Sequence, residues 1–166
     1  MGIIRFLLSP NGRIGRAKWW LGMIALLFMS LALEAWLQAW LFDYDVFDPA
    51  AQPLAKPAIQ ILSLAALILL VPLFAITAKR LHDRGRGATW SLLVIVPAIL
   101  WLGAKLMGFL DFSTPDALAA SWPWGQAVMG LSLLVTLWAI IDLGILRGTE
   151  GENAYGPDPL MREVSA

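Results

Sequence analysis

Four long apolar stretches decide what this chain can fold into. They run from about Trp19 to Phe42, Ala58 to Ala78, Ala88 to Leu110 and Trp124 to Leu146. A helix rises ~1.5 Å per residue, so about 20 residues cross a hydrocarbon core ~30 Å thick, and each stretch reaches that length. None alternates apolar and polar residues, as a barrel strand does. With no water inside a bilayer, a spanning segment must satisfy its own backbone, which a helix does alone. The expected fold is all-α: a four-transmembrane-helix bundle, with residues 1–166 as one membrane domain. Composition agrees: 59% of the 166 residues are hydrophobic, 14% are charged and nine are tryptophan. Soluble proteins hold about 45–50% and about 25% of the first two classes. One soluble core of this size could not enclose so much apolar surface. The first stretch has the basic flank of a signal peptide, but its apolar run is too long and no small-x-small cleavage site follows, so it is read as a retained helix.

The charges between the stretches set the expected orientation. Arg5, Arg13, Arg16 and Lys18 precede the first; Lys79, Arg80, Arg84 and Arg86 lie between the second and third; Arg147 and Arg162 follow the fourth. The other two connections carry Asp43, Asp45, Asp48, Asp111 and Asp116, with Lys56 the one base there. Ten of the twelve lysines and arginines thus fall on one side. The positive-inside rule makes that side cytoplasmic and places both termini there. Tryptophans at predicted inner ends (Trp19, Trp20, Trp90) and outer ends (Trp40, Trp122, Trp124) suit the headgroup level. Trp36, Trp101 and Trp138 lie deeper and are expected to pack. Gly2–Ser9, apolar around Arg5, is expected to form a short interfacial helix, ended by the Pro10-Asn11-Gly12 turn. Pro72 and Pro97 each remove a backbone donor and are expected to kink their helices.

Three polar motifs map to the basic side. They are Asn11–Trp20 (NGRIGRAKWW), Lys79–Gly87 (KRLHDRGRG) and Gly148–Pro159 (GTEGENAYGPDP). The spacing Gly-Arg-x-x-Arg-x-x-x-Trp at Gly12–Trp20 resembles the opening of the DUF805 family, domain of unknown function 805. So does Arg80-Leu81-His82-Asp83-x-Gly85 after the second stretch, and so does Gly151-x-Asn153-x-Tyr155-Gly156-x-Asp158-Pro159. All three occur in order and together cover nearly the whole chain. The resemblance implies a small bacterial inner-membrane protein and brings no reaction with it. Arg86-Gly87-Ala88-Thr89-Trp90 departs from the family's tendency toward a small polar residue after Gly85.

The candidate residues are Arg13, Arg16, Arg80, His82, Asp83, Arg84, Asn153, Tyr155 and Asp158. Guanidinium forks match phosphate oxygens, so the arginines could hold anionic lipid headgroups. Topogenic charge is the plainer reading of the same residues. Adjacent His82 and Asp83 suggest acid–base work, but neighbours on a helix do not face each other. Asp83 is expected to pair with an arginine of another motif. Gly85 suits a C-cap. The glycine- and proline-rich C-terminal motif is expected to fold back beneath the helices as a structured cytoplasmic tail. Its Asn153, Tyr155 and Asp158 would then bond the arginines of the other motifs, in a polar cluster joining the inner helix ends. Asp142 is expected to find an inner-face partner such as Arg80. Glu34 and Lys105 fall at similar depths in the first and third stretches and form a candidate intramembrane pair, costly in hydrocarbon unless matched.

Several functions are disfavoured. The absence of cysteine removes disulfides and thiolate chemistry, and one histidine makes an imidazole metal site unexpected. No catalytic residue, metal site or cofactor is assigned. A net charge of zero and the lack of a recognisable module point away from nucleic acid. The leading expectation is a non-enzymatic scaffold or accessory protein of the bacterial inner membrane. Its partners would be membrane lipids, anionic ones included, with a protein partner or homo-oligomer open. The alternatives are a small transporter or channel subunit, and an interfacial enzyme acting on lipid headgroups.

Overall fold

The structure, a computed structural model, describes residues 2–41, 52–107 and 125–164. Helix α1 (Ile3–Leu8) is a short segment ahead of α2 (Arg16–Leu41). The second apolar stretch divides into α3 (Gln52–Ile68) and α4 (Leu70–Asp83). A 3-10 turn (Ala88–Ser91) leads into α5 (Leu92–Leu106). Helix α6 (Gly125–Ala139) passes into a π-helical turn (Ile140–Ile145), and α7 (Pro159–Val164) ends the described part. No strand occurs among the described residues; Asn153 and Gly156 form an isolated bridge.

Three helical segments are long and apolar enough to cross a membrane: Arg16–Leu37, Gln60–Asp83 and Ala88–Leu106. The fourth apolar helix, Gly130–Ile145, is shorter among the described residues. Their apolar side chains face outward along much of their length, as with Leu21, Ile24, Leu27, Val96, Leu133 and Leu134. Hydrocarbon solvates such surface as readily as a protein core does.

Helix α4 is the hub: it packs on α1, α2 and the 3-10 turn, while α3 packs on α5 and α5 on α6. The tightest packing lies at the basic end, where Ile14, Trp19, Ile76, Leu81 and Leu143 are buried together. Gly22 lets α2 approach closely: a Cβ there would lie 3.0 Å from Ile76 Cδ1 and 3.2 Å from the Phe6 ring. Lys79, fully buried, extends to the C-terminal end of α1, donating to the carbonyls of Arg5 (3.2 Å) and Phe6 with its ammonium 5.0 Å from the Phe6 ring centroid. A cation suits the negative end of a helix.

The two prolines act differently. Pro72 cannot donate to the Ile68 carbonyl, and the helix breaks at Leu69, whose N–H turns back to Ala66 in a 3-10 bond of 3.0 Å. Pro97 lies inside α5, which runs on as one element. Trp19 is a core residue at 3% exposure rather than a headgroup residue, because α4 and the π-turn pack over it. Trp36, expected to pack, is exposed. The outer-side Trp122 and Trp124 and the acidic residues at 43–48 and 111–116 lie outside the described residues, as does the side chain of Trp40.

Candidate functional site

Asp83, the last residue of α4, is the centre of the basic end. Its Oδ1 accepts from Arg13 Nε (3.1 Å) and Nη2 (3.0 Å), and its Oδ2 from Arg80 Nη1. The carboxylate is 5% exposed, Arg13 1% and Arg80 0%. Two cations thus share one buried anion, and backbone carbonyls supply the remaining acceptors. Arg13 Nη1 donates to Gly151 O (2.7 Å) and Gly156 O (3.0 Å), and Nη2 to Thr149 O (2.6 Å). Arg80 Nε donates to Leu143 O (2.7 Å) and Nη2 to Leu146 O (2.6 Å). The Arg13–Asp83–Arg80 triad therefore ties together the segment before α2, the end of α4, the π-turn that follows α6 and the C-terminal turn.

The π-turn explains why so many donors converge there. A helix leaves its last carbonyls without intrahelical partners. Here five successive carbonyls accept from side chains of other segments: Leu143 and Leu146 from Arg80, Gly144 from Trp20 Nε1 (3.1 Å), Ile145 from Arg16 Nη1 (2.8 Å) and Arg147 from Arg84. Gly144 permits this approach, since a Cβ would meet the Trp20 ring at 2.8 Å. Cations at this end also favour the helix dipole. Asp142, within the turn, accepts from Arg84 (3.3 Å) and Arg86 (2.9 Å). Asp142 thus finds its expected kind of partner in Arg84 and Arg86 rather than in Arg80, which turns toward Asp83 and the carbonyls.

The C-terminal motif closes the site from below. Thr149 N–H donates to Asp83 O at 2.7 Å, continuing α4's hydrogen bonding with an outside segment. Asn153 Nδ2 donates to His82 O (2.9 Å) and Thr149 Oγ1 (2.8 Å). The Tyr155 ring stacks on the His82 ring, with centroids 4.0 Å apart and planes 3° from parallel. His82 Nδ1 lies 3.1 Å from Gly12 O, so Nδ1 carries the proton in that contact. Gly151 and Gly156 supply the positive φ angles, 72° and 125°, that the tight turn needs. Gly148 has no room for a side chain, because a Cβ would fall on the Asp83 carboxylate.

The expected residues therefore meet, with revised pairings. Asn153, Tyr155 and Asp158 do not bond the arginines. Asn153 holds a backbone carbonyl, Tyr155 covers His82, and Asp158 orders its own loop. Asp158 Oδ2 accepts from Gly151 N–H (3.1 Å) and Oδ1 from Leu160 N–H (2.9 Å). It is the N-cap of α7, with Pro159 at the first helical position. The Leu160 N–H, then the Gly151 N–H and the charges of Arg13 and Arg147, hold its carboxyl below the usual carboxylate range against the opposing effect of burial. Arg13 and Arg80 are too buried to touch a headgroup. Arg84 keeps partial exposure at 21%, and Arg16 is exposed. Glu34 and Lys105 form no ion pair with each other: Glu34 faces outward from α2, while the Lys105 ammonium lies 5.5 Å from the Trp101 ring centroid. Equal depth sets height but not azimuth, and α2 packs on α4 whereas α5 packs on α3 and α6.

Sequence reasoning missed Thr149, Lys79 as the cap of α1, Trp20 as a carbonyl donor, and α7. For α7 the signal was present in Asp158-Pro159. For Thr149 there was none, since its role depends on where the turn docks. No group of three or more histidine, aspartate or glutamate side chains able to hold a metal occurs among the described residues.

Comparison with known proteins sets this geometry in a family. The profile described as "Protein of unknown function (DUF805)" matches residues 7–157, which include the first two motifs and the third as far as Pro157. The chain is 35% identical to the uncharacterized protein YiiR of Escherichia coli (strain K12) over 161 residues, covering 95% of this chain and 90% of that protein. It is 27% identical to the inner membrane protein YhaH of the same strain over 95 residues, 57% of this chain and 49% of YhaH. No solved structure matches it. The chain belongs to the DUF805 family.

Proposed function

We propose that this is an integral inner-membrane protein with four spans and both ends on the cytoplasmic side. In this reading it acts without catalysis, as a scaffold or accessory protein whose basic rim meets anionic lipid headgroups or a partner protein. Four observations support it: the three long apolar helices, the shorter fourth, the one-sided distribution of basic residues, and the printed name of YhaH.

The observation that carries the non-catalytic role is the network at Asp83. The groups with acid–base or anion chemistry, His82, Asp83, Arg13 and Arg80, are turned toward one another, the backbone and the Tyr155 ring. A catalytic group must be able to touch a substrate. The cations that keep access to the surroundings are Arg16 and Arg147, which are exposed, and Arg84 and Arg86, which are part-buried beside Asp142. Anionic lipids are held by such rims at the cytoplasmic leaflet.

The test is native mass spectrometry of the full chain extracted from membranes containing phosphatidylglycerol and phosphatidylethanolamine. Retention of phosphatidylglycerol, reduced when Arg16, Arg84, Arg86 and Arg147 are changed together to Gln, is the expected result. Equal retention of both lipids, unmoved by those changes, would overturn the headgroup reading.

A further inference from the structure

A cavity of about 140 Å³ opens at the basic end between the first turn of α2 (Gly15–Lys18), the Arg147–Thr149 segment and Pro159–Leu160. We propose that this cavity is a binding site for a phosphate group, carried by a lipid headgroup or free. The proposal rests on the basic-rim reading above and assigns it one place and one chemistry.

Arg16 and Lys18 from the start of α2 and Arg147 from beyond the fourth apolar helix line the cavity, while Arg80, buried against Asp83 and backbone carbonyls, adds its charge from behind the wall with each of its nitrogens already donating. The two carboxylates in its wall are already answered. Asp83 is paired with Arg13 and Arg80, and Asp158 accepts two backbone N–H groups. Arg147 has an exposed partner in Glu150 at 2.9 Å, a surface pair that yields easily to a better acceptor. Arg13, Arg16, Arg80 and Arg147 stand against Asp83, Asp158 and Glu150, which leaves a surplus of one positive charge among these described side chains. A phosphate monoester carries about −1.5 to −2 at neutral pH and a diester about −1, so either is attracted.

The geometry of the wall fits the same chemistry. Arg16 commits Nη1 to the Ile145 carbonyl, which fixes its guanidinium at the cavity while its other N–H groups remain available to an oxyanion. Thr149 is held in the wall by its N–H bond to Asp83. Leu160, in the wall, and Met161 beside it are exposed apolar residues at 45% and 69%. A phospholipid would meet charge at its headgroup and apolar surface next to it.

The experiment uses the full chain in a neutral detergent, with unfolding followed by tryptophan fluorescence and binding by calorimetry. The probes are inorganic phosphate and dihexanoyl phosphatidylglycerol. The variants are Arg16→Gln, the surface-exposed Arg147→Gln, and Arg5→Gln as a control outside the cavity. Saturable binding of either probe, weakened about tenfold by each cavity variant and unchanged by the control, supports the site. Binding of the lipid alone identifies a headgroup; binding of both identifies the phosphate itself. Should the cavity variants bind as well as wild type, the site is overturned. If phosphatidylglycerol still co-purifies with those variants, the basic-rim reading survives and the fault lies in the location. If wild type binds inorganic phosphate at the cavity but shows no lipid preference, the site stands and the headgroup reading falls.

Discussion

Asp83 shows how one residue organises the basic end. Its charge offsets two buried guanidinium groups, so removing it leaves both with an incomplete set of acceptors in a desolvated site. Breaking a buried pair from one side costs about 3–5 kcal/mol, far more than the pair contributes relative to an apolar replacement. Asp83→Asn is expected to destabilise the detergent-solubilised protein by about that amount in thermal unfolding. Gly148→Ala places a methyl against the same carboxylate and is expected to cost about 1–3 kcal/mol in the same assay. Asp158 gives a pH signature. Its folded pKa is lowered, so its stabilising contribution is complete above the unfolded value of about 3.9 and is lost as pH falls through the lower folded value. Asp158→Asn keeps an acceptor at the N-cap without the titration. The difference in melting temperature between wild type and Asp158→Asn is therefore expected to shrink as pH falls below about 4.

The elements were legible to different degrees, for physical reasons. The apolar stretches announce helices because a bilayer imposes length and composition together. The break at Leu69 follows from one missing donor at Pro72, so Pro72→Ala is expected to join α3 and α4 and to raise amide protection around Leu69 in hydrogen exchange. The pairing of Asp83 with an arginine from another motif could be read from its place at a helix end among arginines. Which arginine could not, because Arg13 and Arg80 lie 70 and 3 residues away and only the docked turn decides. The π-turn had no sequence signature. One extra residue in the last helical turn presents the carbonyls of residues 143–147 to Arg80, Trp20, Arg16 and Arg84. The Glu34–Lys105 pairing failed for the complementary reason: equal depth does not make two helices neighbours.

At the scale of the molecule, the apolar part and the basic end divide the work. The helices place much of their apolar surface toward lipid, and the end that fixes their arrangement is polar, buried and hydrogen-bonded. The orientation has a direct check. The chain has no cysteine, so a cysteine introduced at Glu152 in the C-terminal turn would be the one thiol present. It is expected to resist a membrane-impermeant maleimide in intact cells and to react after the membrane is opened. Labelling in intact cells would invert the proposed topology. The buried pair also sets a timetable for biogenesis. Arg13, Asp83 and Thr149 are read by the ribosome in that order, and the carbonyls that complete Arg13's coordination come from Gly151 and Gly156. In the proposed topology the helices of a nascent chain enter the bilayer one after another, and the basic end closes only when those late residues emerge. Until then Arg13 has Asp83 but lacks the Thr149, Gly151 and Gly156 carbonyls, so residues made late are the ones that complete the hydrogen bonding of the first arginine in the cluster.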